Sequence, residues 1–419
     1  MGLCRSESYD LVIVGAGMVG ASLACILDRS RQHGALSILL VESTVIDLDA
    51  PAAQPSFDAR STVLSYGTVD YLRELGLWEE LKSDAEAIQK IHVSDQGKFG
   101  AVRMDNAELG VDALGYVIEN RLLGKIFNKR LAAIGNLEIC SGVSVSNIKP
   151  EPSGMKVSLE DGAQQSSLTT ALVVMAEGGR SGLCEKLGIH RTRESYQQEA
   201  IIANVAFTRC HKNVAYERFT PNGPLALLPL PDHDNQHRAA LVWTRNTDDV
   251  SCTLALSDSD FLRQLNEEFG NRLGRFTRVG QRNSYPLSLI QAQEQVRPGL
   301  VLLGNVAHSL HPVAGQGFNL AFRDTAHLAS ILLEAMATDT SLGDVALLHR
   351  YQDETRSDQH MTAMFSHYMT RLFSSKNIAA VWIRKFGLFN IDLVLPVRKA
   401  FARRAMGMGE AKVTLEADA

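Results

Sequence analysis

The sequence predicts an α/β fold: a GxGxxG Rossmann-like dinucleotide domain, an inserted antiparallel-sheet domain and a C-terminal helical region. Three observations predict it. An apolar run, YDLVIV at 9–14, leads into Gly15-Ala16-Gly17-Met18-Val19-Gly20, and a second run, LSILLV at 36–41, follows an intervening helical stretch. Residues 196–245 alternate apolar and polar positions between turn residues, as antiparallel strands do. Beyond Gly343 the patterning is mostly helical.

The first apolar run suits a parallel strand buried on both faces. With the helix expected over 21–31 and the second run, it forms a βαβ unit of dinucleotide-fold length. A helix is expected over 61–78 and a hairpin over 88–104, turning at Gln96-Gly97. Next come a strand at 116–118 and a helix at 120–134, then strands at 137–140, 143–148, 155–159 and 168–176. Helices are expected at 257–273 and from about 316 to 336, with a short buried strand at 300–303. The domain division follows: residues 1–75, 112–182 and 295–345 form the dinucleotide domain. Residues 76–111 and 183–294 form the inserted domain, and 346–419 the helical region.

Composition excludes several classes. The 419 residues carry 42 Lys and Arg against 47 Asp and Glu, a net charge of −5, so the basic excess of a nucleic-acid binder is absent. The six cysteines are irregularly spaced and form no CxxC pair, which argues against a disulfide framework and a zinc knuckle. The N-terminus lacks the pattern of a secretory signal, and the apolar runs fall short of the length of a spanning helix. A cytoplasmic protein is expected.

In the glycine loop, Gly15 permits the tight turn, Gly17 lets backbone approach a pyrophosphate, and Gly20 allows close packing of helix on strand. Ala16 lies between the first two. Glu42 ends the second strand, 22 residues after Gly20, where a carboxylate can accept hydrogen bonds from ribose hydroxyls. The loop alone does not choose between FAD and NAD.

A second ligand loop follows the strand near 300. Gly304 and Asn305 stand at a strand's carboxyl end, where open α/β sheets bind ligands. Pro312 and Gly315-Gln316-Gly317 precede Asn319, and the two glycines allow main chain to lie against a flat ring. The helix starting near Gln316 points its positive end at that place.

These segments resemble a known family. GAGMVG with Glu42, FDAR at 57–60, VIEN at 117–120 and GNVAHSLHPVAGQGFNLAFRD at 304–324 are similar to the FAD-dependent aromatic hydroxylases, the class A flavin monooxygenases. Among these, the ubiquinone-biosynthesis hydroxylases are the most similar group, over about residues 8–400. The family usually has Asp at the Asn305 position, and Asp-Gly where Glu177-Gly178 stands before Arg180 and Ser181.

The resemblance implies bound FAD and transient NAD(P)H. It implies hydroxylation of a polyprenylated phenol, 2-polyprenyl-6-methoxyphenol at ring C1, by O2 through a flavin C4a-hydroperoxide. Another ring position, a flavin-dependent isoprenoid reductase and a flavin-holding scaffold stay open as alternatives. Flavin does the hard chemistry, so no catalytic side chain is singled out. The implied partners are the phenol, O2 and proteins of a ubiquinone-biosynthesis complex.

The resemblance places Arg60 near the FAD diphosphate and Asn120 near the ribityl chain. The residues alone allow a surface ion pair for Arg60 and a helix N-cap for Asn120. His308 and His311 form an HxxH, read as loop histidines bonded to backbone rather than a metal site, with a proton-handling role for His311 left open. LALLPLP at 225–231 is similar to the family stretch facing the flavin, or else is ordinary strand core. The segment 376–406 carries seven basic residues against Asp392, with Trp382 and Phe386 among its apolar residues. It fits either an anionic membrane surface, the inner face of the plasma membrane, or a helical cap over the core.

Overall fold

Strand Ser8–Val14 lies between two parallel neighbours, Gln165–Met175 and Ile38–Glu42, in a computed structural model of the chain. The structure describes residues 4–28, 36–47, 54–58, 60–97, 101–162, 164–311 and 315–374, with 399, 402–403, 406–407, 413 and 415. Leu137–Ser141 continues the parallel sheet on one side and Leu300–Leu302 on the other. The hairpin Ser144–Glu151/Gly154–Glu160 adds antiparallel to Gln165–Met175. Leu11, Val12 and Ile13 have no exposed surface, because the strand is covered on both faces. Helix Met18–Leu27 packs on one face with Asn120–Ala132 and Gln316–Ala337.

The second sheet has nine strands. Its path runs His308–Ser309, Asn283–Ala292, Arg191–Phe207, Gln236–Asn246, Gly223–His233, Val214–Thr220, Lys90–Asp95 and Ala101–Asp105. Phe276–Val279 pairs with Arg191–Phe207 beside this path. All these pairs are antiparallel except Val214–Thr220 with Lys90–Asp95. Helix Asp258–Phe269 covers the outer face, where Phe261, Leu265 and Phe269 join Ile201, Leu225, Leu227 and Trp243 in one core. Ser257 caps that helix, its Oγ accepting from the Asp260 N–H at 3.1 Å. The inner face looks toward the first sheet's domain.

The expected helix over 61–78 is corrected. Ser61–Ser65 is a strand paired with Gly115–Glu119 in a small third sheet, and helices Tyr66–Glu74 and Trp78–Leu81 follow. Two β-branched residues, Thr62 and Val63, favour extended backbone there, and Ser65 stops the strand by capping the helix, its Oγ accepting from Thr68 N–H at 3.3 Å. The expected hairpin forms, from Lys90–Asp95 and Ala101–Asp105. The helix expected over 257–273 ends at Phe269, where Gly270 takes φ +86°. The C-terminal helix is Val345–Ser374.

Candidate functional site

The carboxyl ends of the parallel strands open into one cavity of about 810 Å³, within the range of ligand sites. It runs from the glycine loop, past the second loop, to the inner face of the nine-stranded sheet.

At the first end, Gly15 has φ +103°, and a Cβ there would stand 2.7 Å from Glu177 Cα. A Cβ on Gly20 would stand 2.0 Å from Gly15 O, so only glycine lets the helix leave the strand this closely. Gly17 precedes the helix with extended backbone and lines the cavity. Glu42 is buried at the end of its strand. Its Oε2 accepts from Ala16 N–H at 2.8 Å and its Oε1 from Thr44 N–H at 2.9 Å. The acidic strand end therefore holds the glycine loop in place while bordering the cavity. A carboxylate has room for about four hydrogen bonds, so acceptor capacity remains.

Among the described residues, three buried oxygens on the wall have no hydrogen-bond partner: Ser56 Oγ, Ser61 Oγ and Glu177 Oε1. The other Glu177 oxygen accepts from the N–H groups of Arg180 and Ser181 at 2.8 and 3.3 Å. Unpaired buried polar atoms are costly, and a polar ligand along this wall would satisfy them. With the backbone of the glycine loop, they form a lining suited to a dinucleotide such as FAD.

Arg60 points its Nε at Asp58, 2.8 Å away, and its guanidinium lies over the Tyr285 ring at 4.6 Å. The Tyr285 hydroxyl donates to Asp58 at 3.0 Å. Arg60 is thus fixed beside the cavity by an acid and an aromatic ring from the other sheet. Asn120 is the first residue of its helix and not the N-cap, which is Glu119. The capping alternative fails because the Asn120 side chain turns to the loop instead. It accepts from Thr62 Oγ1 at 2.6 Å and donates to Ser56 O at 3.1 Å.

In the second loop, Gly304 begins a single 3-10 turn with φ +67°, and Asn305 is exposed on the cavity wall. Gly315 caps helix Gln316–Ala337 with φ +63°, its missing Cβ 3.0 Å from Val63. Among the described residues, a Cβ on Gly317 would meet no atom within 4 Å, so their packing does not require glycine there. Gln316 is buried and lines the cavity. Pro312 lies outside the described residues. Asn319 is a clamp. Its Oδ1 accepts from Ser65 N–H and Thr68 Oγ1, and its Nδ2 donates to Val63 O and Gly315 O, all at 2.8 Å. Asn319 also lines the cavity, and its four side-chain bonds hold the third sheet to the loop.

Among the described residues, the His308 side chain bonds a carboxylate rather than backbone. Its Nε2 meets Asp324 Oδ2 at 2.6 Å, both buried, and Gln359 donates to the same oxygen at 3.1 Å. The sequence reading missed this pair because Asp324 lies 16 residues on, one helix away. His311 is fully buried against Tyr196, ring centroids 5.2 Å apart, with both ring nitrogens unpartnered among the described residues. Burial pushes its pKa down to about 4.

The far end is apolar. LALLPLP lies in strand Gly223–His233, and its residues alternate between core and cavity. Leu225 and Leu227 face the core under Asp258–Phe269, while Ala226 and Leu228 line the cavity. Val93, Val102, Ile202 and Val242 line it too. Among them stands Glu217, which the sequence reading missed. Its place in Ala215-x-Glu217-x-Phe219, on the apolar face of an alternating strand, was the available signal. Burial pushes its carboxyl up to about 7. Of the basic-aromatic segment, residues 376–398 lie outside the described residues. Ala402 and Met406 are buried and close the apolar end, and Met406 O accepts from Gly67 N–H at 3.0 Å. Among the described residues no helix is long and apolar enough to cross a membrane.

Comparison with known proteins agrees with this geometry. Residues 8–366 match the family described as FAD binding domain. The chain is 34% identical to the ubiquinone hydroxylase UbiL of Rhodospirillum rubrum, over 95% of this chain and 89% of the relative. It is 28% identical to the mitochondrial ubiquinone biosynthesis monooxygenase COQ6 of Homo sapiens, over 96% and 94%. In fold it is similar to p-nitrophenol 4-monooxygenase PnpA from Pseudomonas putida DLL-E4, with a TM-score of 0.76 at 20% identity, covering 97% of this chain and 100% of that one.

Proposed function

The chain belongs to the FAD-binding monooxygenases, within the ubiquinone hydroxylase family, and from that premise we propose that it hydroxylates the ring of a polyprenylated phenol in ubiquinone biosynthesis. The observation that carries this reading is one continuous cavity with two chemistries. One end offers glycine backbone, Glu42 and unpaired oxygens; the other offers an aliphatic sheet face.

Bound FAD supplies reduction by a visiting NAD(P)H and activation of O2. The chain's own residues hold and enclose the reactants. Gly15, Ala16 and Gly17 would hold the diphosphate at the positive end of helix Met18–Leu27, with Glu42 at the adenosine ribose. Arg60 would stand near the diphosphate and Asn120 and Asn305 near the ribityl chain, with the Gly315–Gly317 backbone against the ring system. The aliphatic sheet face excludes water and orients the phenol.

The finer reading is 2-polyprenyl-6-methoxyphenol hydroxylated at ring C1, the reaction of the UbiH type, 2-octaprenyl-6-methoxyphenol hydroxylase. The HPVAGQGFNL form of the second loop, beside Asn305, supports it. A polyprenyl tail gains about 0.8 kcal/mol per CH2 removed from water, so the substrate resides in a bilayer. The proposal therefore includes contact with the inner face of the plasma membrane, through the basic and aromatic residues of 376–406. Quinone profiling of a strain lacking this protein tests the reading. Accumulation of 2-polyprenyl-6-methoxyphenol is expected; an unchanged quinone pool contradicts it.

A further inference from the structure

Strand Val214–Thr220 reads VAYERFT, and pleating sends Ala215, Glu217 and Phe219 to one face. Tyr216 goes to the other, edge-on to Phe269 at 5.5 Å. The register sets Glu217 opposite Val93 on one neighbour and Ala226 on the other. Val93 faces Val102, Ala226 faces Val242, and Val242 faces Ile202. Directly paired residues share a face. The inner face of the sheet therefore carries one row, Val102–Val93–Glu217–Ala226–Val242–Ile202, and every member lines the cavity.

Glu217 is the one ionisable side chain in this row. Among the described residues its carboxylate makes no hydrogen bond or ion pair. Of the other titratable groups on the wall, Tyr216 packs on Phe269 and Arg180 stands beside Glu177 and Tyr285. Glu42 and Glu177 take loop N–H groups, and Arg60 and Tyr285 take Asp58. The adjacent rows and helices present Ile91, Met104, Leu228 and Phe365, none of which titrates. An unpaired carboxylate in an apolar chamber is costly unless a ligand completes it.

We propose that Glu217 receives the ring hydroxyl of the phenol and is the base that takes its proton. This rests on the phenol-hydroxylase reading above. The phenol O–H bond breaks, its electron pair stays on the phenol oxygen, and the proton forms an O–H bond on Glu217. The ring becomes more electron-rich and so more reactive toward an electrophilic oxygen. When the ring returns to a phenol, the same proton goes back to that oxygen, leaving Glu217 ionised. A base whose affinity for protons lies near neutrality is well matched to this task. The aliphatic neighbours hold the ring without competing for its hydroxyl.

The test uses FAD-loaded protein and two probes, 2-methoxy-6-prenylphenol and its methyl ether, with binding read from flavin fluorescence. The wild type is expected to bind the phenol about tenfold or more tighter than the ether, the scale of a hydrogen bond to a charged group. Glu217→Leu is expected to bind both equally, to keep its FAD and to melt no lower than the wild type. Glu217→Gln is expected to lower kcat about a hundredfold and to abolish the limb of kcat/KM that rises through about pH 7. Glu217→Asp restores part of the rate and the limb. A Glu217→Leu protein that still prefers the phenol, or a Glu217→Gln protein with an unchanged pH profile, overturns the proposal alone. A wild type that binds neither probe overturns it together with the reading beneath it.

Discussion

At one end of the cavity Gly15 and Gly17 bring main chain to the wall, with Gly20 packing the helix onto the strand behind them; at the other stand Val93, Ala226, Val242 and Ile202. The glycine end tolerates little change, because a Cβ at Gly15 or Gly20 meets backbone atoms that cannot turn away. The sheet end is built of ordinary aliphatics whose shape is shared among six strands, so single changes there reshape the chamber without breaking the fold. Rigid backbone suits a cofactor of fixed shape. An adaptable apolar face suits a substrate with a long, flexible tail.

Five substitutions would break or sharpen this contrast. The largest effect is expected from Gly20→Val, whose Cβ would stand 2.0 Å from Gly15 O. FAD should be absent after gel filtration and soluble yield should collapse, whereas Val242→Ala at the sheet end should keep both. Asn319→Leu comes next. It leaves the Ser65 N–H and the Val63 and Gly315 carbonyls without their partner, at a cost of about 4 kcal/mol. Urea unfolding should show it as a lowered midpoint.

His311 provides a pH test. Its folded pKa of about 4 lies below the ordinary 6.5, so the unfolded chain binds the proton more readily. Its contribution is present above pH 6.5 and is lost as pH falls toward about 4, by up to about 3 kcal/mol. His311→Phe should melt with a flatter pH dependence across that window; parallel curves for the two proteins would contradict this. The smallest effect on the fold is expected from Gly317→Ala, because among the described residues no atom lies within 4 Å of where its Cβ would stand. The melting temperature of FAD-free protein should not change, while FAD retention should drop about tenfold where main chain meets the ring. Unchanged retention would remove Gly317 from the cofactor wall.

The same contrast explains what the sequence disclosed. Backbone demands leave a signature of fixed spacing, so the glycine loop, Glu42 and the second loop were legible, and so was the antiparallel alternation of residues 196–245. The sheet end left no such mark. Glu217 meets Val93 and Ala226 only through register between strands far apart in the chain. His308 and Asp324 meet across a loop and a helical turn. Ser61–Ser65 was misjudged as helix because Val63, Leu64, Val69 and Leu72 fit a helical spacing, while a cap at Ser65 split the segment into strand and helix.

The central claim is that one cavity holds a flavin and a phenol so that oxygen passes to the ring. FAD-loaded protein given NADH, isotopically heavy O2 and 2-methoxy-6-prenylphenol tests it most directly, with products weighed by mass spectrometry. The expected result is a ring-hydroxylated product carrying one heavy oxygen atom, formed in step with NADH oxidation. Phenol recovered unlabelled while NADH is consumed, at a rate the phenol does not change, would contradict it.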